Sequence, residues 1–172
     1  MISVVPNASE KQEQTVSADE PDWSREAPRR LWDPPRRLLR TLRRYQSWRE
    51  RESRLSRLVC KLTVLEHRFW SVVTGADIPL NCKIGGGLAL VHPSGVVIHP
   101  EAKIGPNCLI FQQVTVTKGV RLGGHVDIGA GAKIVRDVTV GAHAVIGANA
   151  VVLSDVPSGA TAVGIPARVL RQ

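Results

Sequence analysis

Aromatic side chains are scarce: Phe, Trp and Tyr make up 4% of the 172 residues. That suits a narrow interior filled by Ile and Val rather than by rings. There are three cysteines, which excludes a disulfide framework and points to a reducing compartment. No apolar run follows a basic start, so no secretory leader is expected, and no stretch reaches the roughly 20 apolar residues of a membrane span. Acids are thin in one place only. Over residues 27–72, 13 Lys and Arg stand against 4 Asp and Glu, while residues 1–26 carry 2 against 6 and residues 73–172 carry 8 against 5. The net charge of +8 therefore belongs to the middle segment. The expected location is the cytoplasm or the inner face of its membrane.

What the sequence has in abundance is a repeat. Ile98, Ile104, Ile110, Val116, Leu122, Ile128, Ile134, Val140, Ile146 and Val152 recur every six residues without a miss. Two positions ahead runs a second row: Val96, Ala102, Cys108, Val114, Val120, Val126, Ala132, Val138, Ala144 and Ala150. A helix repeats every 3.6 residues and a two-faced strand every 2, so neither explains a period of six. A parallel β-helix of hexapeptide repeats does: three hexads close one triangular coil, and the coils stack like over like. The aliphatic of each hexad points inward, and the small residue fills the corner. On this pattern Cys82 and Cys108 are interior packing residues. Flat-sided prisms bury their outer faces against one another, so a homotrimer is expected.

Before the repeat, residues 1–26 are polar and acidic and read as a disordered tail. From about Arg36 the pattern turns helical. Leu38, Leu39, Leu42, Tyr45, Trp48, Leu55, Leu58, Val59, Leu62, Leu65 and Trp70 trace an apolar stripe clothed in arginine, in one long helix or two shorter ones. Two roles fit this basic amphipathic segment, 27–74: a cap over the first coil, or contact with an anionic membrane surface. The arginines come without a nucleic-acid-binding motif, so no nucleic acid partner is expected. The β-helix spans 75–157 and a carboxy-terminal extension 158–172.

The hexads begin near Gly75, and one step breaks the rule. From Leu90 to Ile98 the chain takes eight residues rather than six. An insertion in a strict solenoid marks a working loop, and this one contains His92.

Several stretches carry a family likeness: Ala76-Asp77-Ile78, Lys83-Ile84-Gly85, Leu90-Val91-His92-Pro93-Ser94-Gly95, Gln113-Val114-Thr115, Gly129-Ala130-Gly131-Ala132-Lys133-Ile134 and Gly164-Ile165-Pro166-Ala167-Arg168. Over about residues 72–170 the sequence resembles the serine acetyltransferases. The resemblance implies that the β-helix is left-handed and that the chain transfers acetyl from acetyl-CoA to the hydroxyl of L-serine, making O-acetylserine for cysteine synthesis. It also implies that His92 is the general base and Asp77 its partner. The chemistry suits them, because imidazole takes a hydroxyl proton near neutral pH and a carboxylate on the other ring nitrogen fixes the tautomer. Their separation of fifteen residues, near one coil of eighteen, can stack both on one edge. By the same resemblance Ala130 and Ala148 line the pantetheine groove. Lys133, Arg136 and Arg168 are candidates for the CoA phosphates.

The sequence departs from the family at three places. Val91 replaces the acid that precedes the histidine and helps hold the amino group of serine. The hexads run unbroken from Val116 to Leu122, where the family extends a loop carrying a second histidine and an arginine. The long helical amino-terminal domain is replaced by the short arginine-rich segment. Acetylation of a sugar hydroxyl in polysaccharide synthesis is therefore the alternative activity, and a non-catalytic trimeric scaffold a further one. His125 and His143 fall on outward hexad positions, His99 follows an inward Ile, and His67 sits in the helical segment. The spacing of His92, His99 and His125 matches no recognised ligand set, so no metal is expected.

Overall fold

The structure is a computed structural model that describes residues 16–135 and 137–170. Hexads become two-residue strands, each with one side chain outside and one inside, and the strands form three parallel ladders. The first ladder holds β1 (Lys83–Ile84), β4 (Lys103–Ile104), β7 (Arg121–Leu122) and β10 (Thr139–Val140). The second holds β2 (Ala89–Leu90), β5 (Leu109–Ile110), β8 (Asp127–Ile128), β11 (Val145–Ile146) and β13 (Thr161–Val163), with β14 (Arg168–Val169) antiparallel at its end. The third holds β3 (Val97–Ile98), β6 (Thr115–Val116), β9 (Lys133–Ile134) and β12 (Val151–Val152), and Asp77 bridges to Val97 at its start. All ten aliphatics of the first row and all ten small residues of the second are buried. The core is thus a single apolar column along the prism axis.

Register shows what the insertion does. Lys83 pairs with Lys103 and Ala89 with Leu109, a coil of 20 residues, whereas Lys103 pairs with Arg121 and Val97 with Thr115, coils of 18. The two extra residues are spent at the corner between β2 and β3, so the stacking elsewhere is undisturbed. The last turn is short, Val145 pairing with Thr161. Residues 161–163, assigned by the sequence reading to an extension beyond the β-helix, therefore continue its second ladder.

Two helices occupy the arginine-rich segment, α1 (Pro34–Arg49) and α2 (Arg54–Thr74). Prolines at the first positions of α1 tolerate the absence of intrahelical donors there. A capping box of Ser53 with Ser56 opens α2, and Gly75 in the left-handed conformation, φ 67°, closes it. The first coil leaves edge groups that need partners, and α1 supplies them. Leu38, Leu39 and Leu42 enter the core at 1% exposure each. Arg43 donates to the carbonyls of Ile84 and Gly85 at 2.7 and 2.6 Å, and Gln46 donates to Cys82 O at 3.1 Å. The cap expected from the sequence is α1.

Much of the expected stripe on α2 does not pack on the prism, although Trp70 at its end does. Leu55, Leu58, Leu62 and Leu65 are more than half exposed. Instead α2 turns Ser56, Thr63, His67, Trp70 and Thr74 inward. His67 joins three elements: Nε2 donates to Ile78 O at 2.9 Å, because a carbonyl only accepts, and Nδ1 faces Thr41 Oγ1 of α1 at 2.7 Å.

The acidic tail also differs from its expectation. Residues 1–15 lie outside the described residues, but residues 16–26 cross the corner between β4 and β5. Asn107, fully buried, accepts from Asp22 N and donates to Ser17 O and Glu20 O, each at 2.7 Å. Trp23 lies on Gly86, where a Cβ would come within 2.6 Å of its ring. Glu26 is buried against Arg43 and accepts from Leu88 N at 3.0 Å. These partners are distant in sequence, which is why a polar tail with nothing apolar to bury still finds a place.

Candidate active site

The inserted corner lifts residues 91–96 out of the regular turn and lays them over the end of α2. Gly95 N donates to Gly75 O at 2.8 Å, Asp77 N to Val96 O at 2.8 Å, and Ile98 N to Asp77 O at 2.9 Å. The loop that carries His92 is therefore stitched to the segment that carries Asp77. His92 is exposed and takes the left-handed conformation, φ 53°, directly before Pro93. That conformation is uncommon outside Gly and Asn, and the residue before a proline normally stays extended. Six other non-glycine residues share it, among them Gln113, His125, His143 and Asn149, so the conformation belongs to the turns of this coil and does not by itself single out His92.

The two candidate catalytic residues share this corner without sharing a bond: among the described residues, no hydrogen bond joins the His92 ring to the Asp77 carboxylate. The charge of Asp77 is instead felt at His67 and Cys82, where it favours the protonated forms. Asp77 also lines a hollow of about 200 Å³ with Pro79, Val97, His99 and Thr117. His99 Nδ1 there accepts from Glu101 N at 3.1 Å, leaving Nε2 for other partners. Its position just after the inward Ile98 already suited His99 to line an outer groove, and the hollow is such a groove; the hexad pattern does not say that Asp77 lines it too.

Ala130, Ala148 and the ammonium of Lys133 fall along the same edge of the prism as the His92 loop, coil above coil. Gln113 N donates to Ser94 O, Gly131 N to Gln112 O, and Asn149 N to Ala130 O, at 2.8–2.9 Å. That ladder sets the His92 loop, Gln112, Ala130 and Ala148 in four successive coils. Both alanines reach the surface. Coils stack tightly here: a Cβ on Gly129 would meet Ala148 N at 2.6 Å, as a Cβ on Gly123 would meet Ala142 N at 2.5 Å on another corner. Lys133 spans the edge and donates its ammonium to Gln113 O and to Gly131 O. Ala167 N donates to Val151 O at 2.8 Å and brings residues 164–168 to the far end, with Arg168 exposed on β14. Arg136 lies outside the described residues. The sequence picked two further outward histidines, His125 and His143. They stack on a different corner, Nδ1 to Nδ1 at 2.9 Å.

A three-faced hexapeptide β-helix with an inserted histidine loop on an edge of small residues is the architecture of the hexapeptide acyltransferases. No protein-family model matches the chain. It is 42% identical over 107 residues to the serine acetyltransferase of Synechococcus elongatus, covering 58% of this chain and 44% of that protein. It is 38% identical over 136 residues to that of Staphylococcus xylosus, covering 74% and 60%. Among solved structures, soybean serine acetyltransferase without ligand superposes with a TM-score of 0.67 at 33% identity, over 80% of this chain and 57% of that one. A serine acetyltransferase in complex with CoA superposes with a TM-score of 0.69 at 33% identity, over 81% and 58%. Curated relatives and solved structures alike place the similarity with the serine acetyltransferases, and the β-helix is the left-handed one of those proteins. It spans about half the length of the curated relatives it matches.

Proposed function

We propose that the chain is an acetyl-CoA-dependent O-acetyltransferase whose acceptor is L-serine. The observation that carries this reading is the single edge on which the pinned His92 loop, Ala130 and Ala148 follow one another. Solved relatives in complex with serine and with CoA support both substrates. His92 takes the proton of the acceptor hydroxyl as its oxygen attacks the thioester carbonyl, and the tetrahedral intermediate then expels the CoA sulfur. The imidazolium returns the proton to that sulfur, so the products are the O-acetyl ester and free CoA. Asp77 is the positioning residue: with substrate bound, its carboxylate orients the ring and offsets the imidazolium charge. Ala130 and Ala148 offer backbone to the pantetheine arm, and Lys133 and Arg168 flank the edge where CoA phosphates would lie.

A second acceptor has an observation of its own. β6 and β7 are joined by residues 117–120 alone, leaving the corner without an extended loop, and Val91 offers no charge to an ammonium group. A sugar hydroxyl needs neither. The proposed assembly is a homotrimer with the edge at the subunit interface. The proposed compartment is the cytoplasm, which suits three free thiols.

The test is CoA release by the purified chain with L-serine and, separately, with a panel of sugars and nucleotide sugars. Saturable turnover with serine is the expected result. Turnover confined to a sugar moves the acceptor to the second reading. No turnover with any acceptor, by folded protein, refutes both and leaves a scaffold.

A further inference from the structure

Helix α2 is amphipathic in the reverse sense. Leu55, Leu58, Leu62, Leu65, Phe69 and Val72 follow one another at steps of three and four, and each is 54–83% exposed. Arg54, Arg57, Lys61 and Arg68 run along one border of this stripe, all exposed. The first three surround Leu58 in a hollow of about 340 Å³ whose lining holds no acid. Glu66, on the other border, is already bound by Arg44 of α1. So large an apolar stripe on a surface marks an interaction site.

The occupant is narrowed by what is already filled and by charge. The first coil is covered by α1, so α2 is not needed as a cap. A second copy of α2 would match the spacing, since steps of three and four are those of a coiled-coil seam. Its borders do not match. In an antiparallel pair Arg54, Lys61 and Arg68 would face their own kind. In a parallel pair they would face Val59, Glu66 and Val73, of which only Glu66 is acidic and it is committed to Arg44. A surface that is apolar beneath and anionic above satisfies both features at once. Among the described residues no helix is long and apolar enough to cross a membrane, which leaves binding in the plane of the surface.

We propose that α2 docks on an anionic lipid surface. Its leucines and Phe69 enter the acyl boundary, and Arg54, Arg57 and Lys61 take headgroup phosphates in the hollow around Leu58. The inner side of α2, with His67 on Ile78 O, holds the β-helix above that surface.

The experiment is co-sedimentation of the full chain with phosphatidylcholine vesicles, with and without phosphatidylglycerol. Binding is expected only with the anionic lipid and should weaken as salt rises. The triple variant Arg54→Gln, Arg57→Gln, Lys61→Gln should lower partitioning by on the order of a hundredfold, since each basic residue near such a surface contributes roughly fivefold. The triple variant Leu58→Gln, Leu62→Gln, Leu65→Gln should abolish binding. These side chains are exposed, so an unchanged circular dichroism spectrum should confirm the fold. Wild-type protein left in the supernatant, equal binding to neutral vesicles, or full binding by the leucine variant would each overturn the proposal. So would a lower mass of that variant by light scattering without lipid, because the stripe would then be an interface between copies.

Discussion

Glu26 holds Arg43 through both carboxylate oxygens, at 2.8 Å to Nη2 and 3.0 Å to Nε, with the Glu26 side chain only 7% exposed. The pair joins residues 16–26 to α1 at the point where Arg43 also donates to the first coil. Removing one partner of such a buried pair leaves the other charged and uncompensated. Glu26→Ala should therefore cost about 3–5 kcal/mol, read as a lower urea midpoint. Glu26→Gln, which can still accept from Leu88 N, should cost less.

Asn107 should control whether residues 17–25 stay on the prism. Its side chain makes three hydrogen bonds to them, each worth about 1 kcal/mol net. Asn107→Ala should speed tryptic cleavage after Arg25 by tens of fold. Gly124→Ala should do the same by another route, because its Cβ would sit 1.7 Å from Ala18 O. Unchanged cleavage in both would mean that these residues are held by other contacts.

His67 should make stability depend on pH. Burial holds its pKa below the usual 6.5, against the opposing pull of the Ile78 carbonyl and the Asp77 charge. The folded state thus binds this proton less readily than the unfolded chain. The stability it contributes is present above 6.5 and is lost as pH falls from there to the lowered folded value. The urea midpoint should drop as pH falls below 6.5, and His67→Gln should flatten that slope.

Thiol labelling should separate the three cysteines. Burial pushes Cys82 up to about 12 and Cys108 up to about 11, so neither offers thiolate at mildly alkaline pH. Cys60 is half-buried on α2. Native protein should take up one iodoacetamide per chain by mass spectrometry, and unfolded protein three.

For the chemistry, His92→Ala should lower kcat by about 10²–10⁴ while the oligomeric mass is unchanged. Asp77→Asn should lower kcat and alter the pH profile of kcat/KM, as a residue acting through the imidazole would. A His92→Ala variant with near wild-type turnover would remove His92 from the mechanism.

How much of this was legible beforehand follows from how local each signal is. The hexad is a local pattern: every six residues restate which side chain goes inside, and like pairs with like in the next coil. The core column from Val96 to Val152 could therefore be read position by position. The eight-residue step from Leu90 to Ile98 was legible for the same reason, because a strict repeat makes any insertion visible.

Other features had no local signature. The stripe from Leu38 to Trp70 read as one face, but α1 buries Leu38, Leu39 and Leu42 while α2 leaves Leu55, Leu58, Leu62 and Leu65 outside. An apolar stripe states that a face prefers to leave water and says nothing of what will cover it.

The sequence by itself determined the repeat, the coil length, the inward residues and the loop that carries His92, since these depend on spacing along the chain. Only the tertiary structure decided that residues 16–26 lie on Asn107, that α1 rather than α2 closes the first coil, and that Ala130, Ala148 and the His92 loop share one edge. Those are relations between residues up to 90 positions apart, and they are fixed by which buried donors and acceptors must find partners once the coils have stacked.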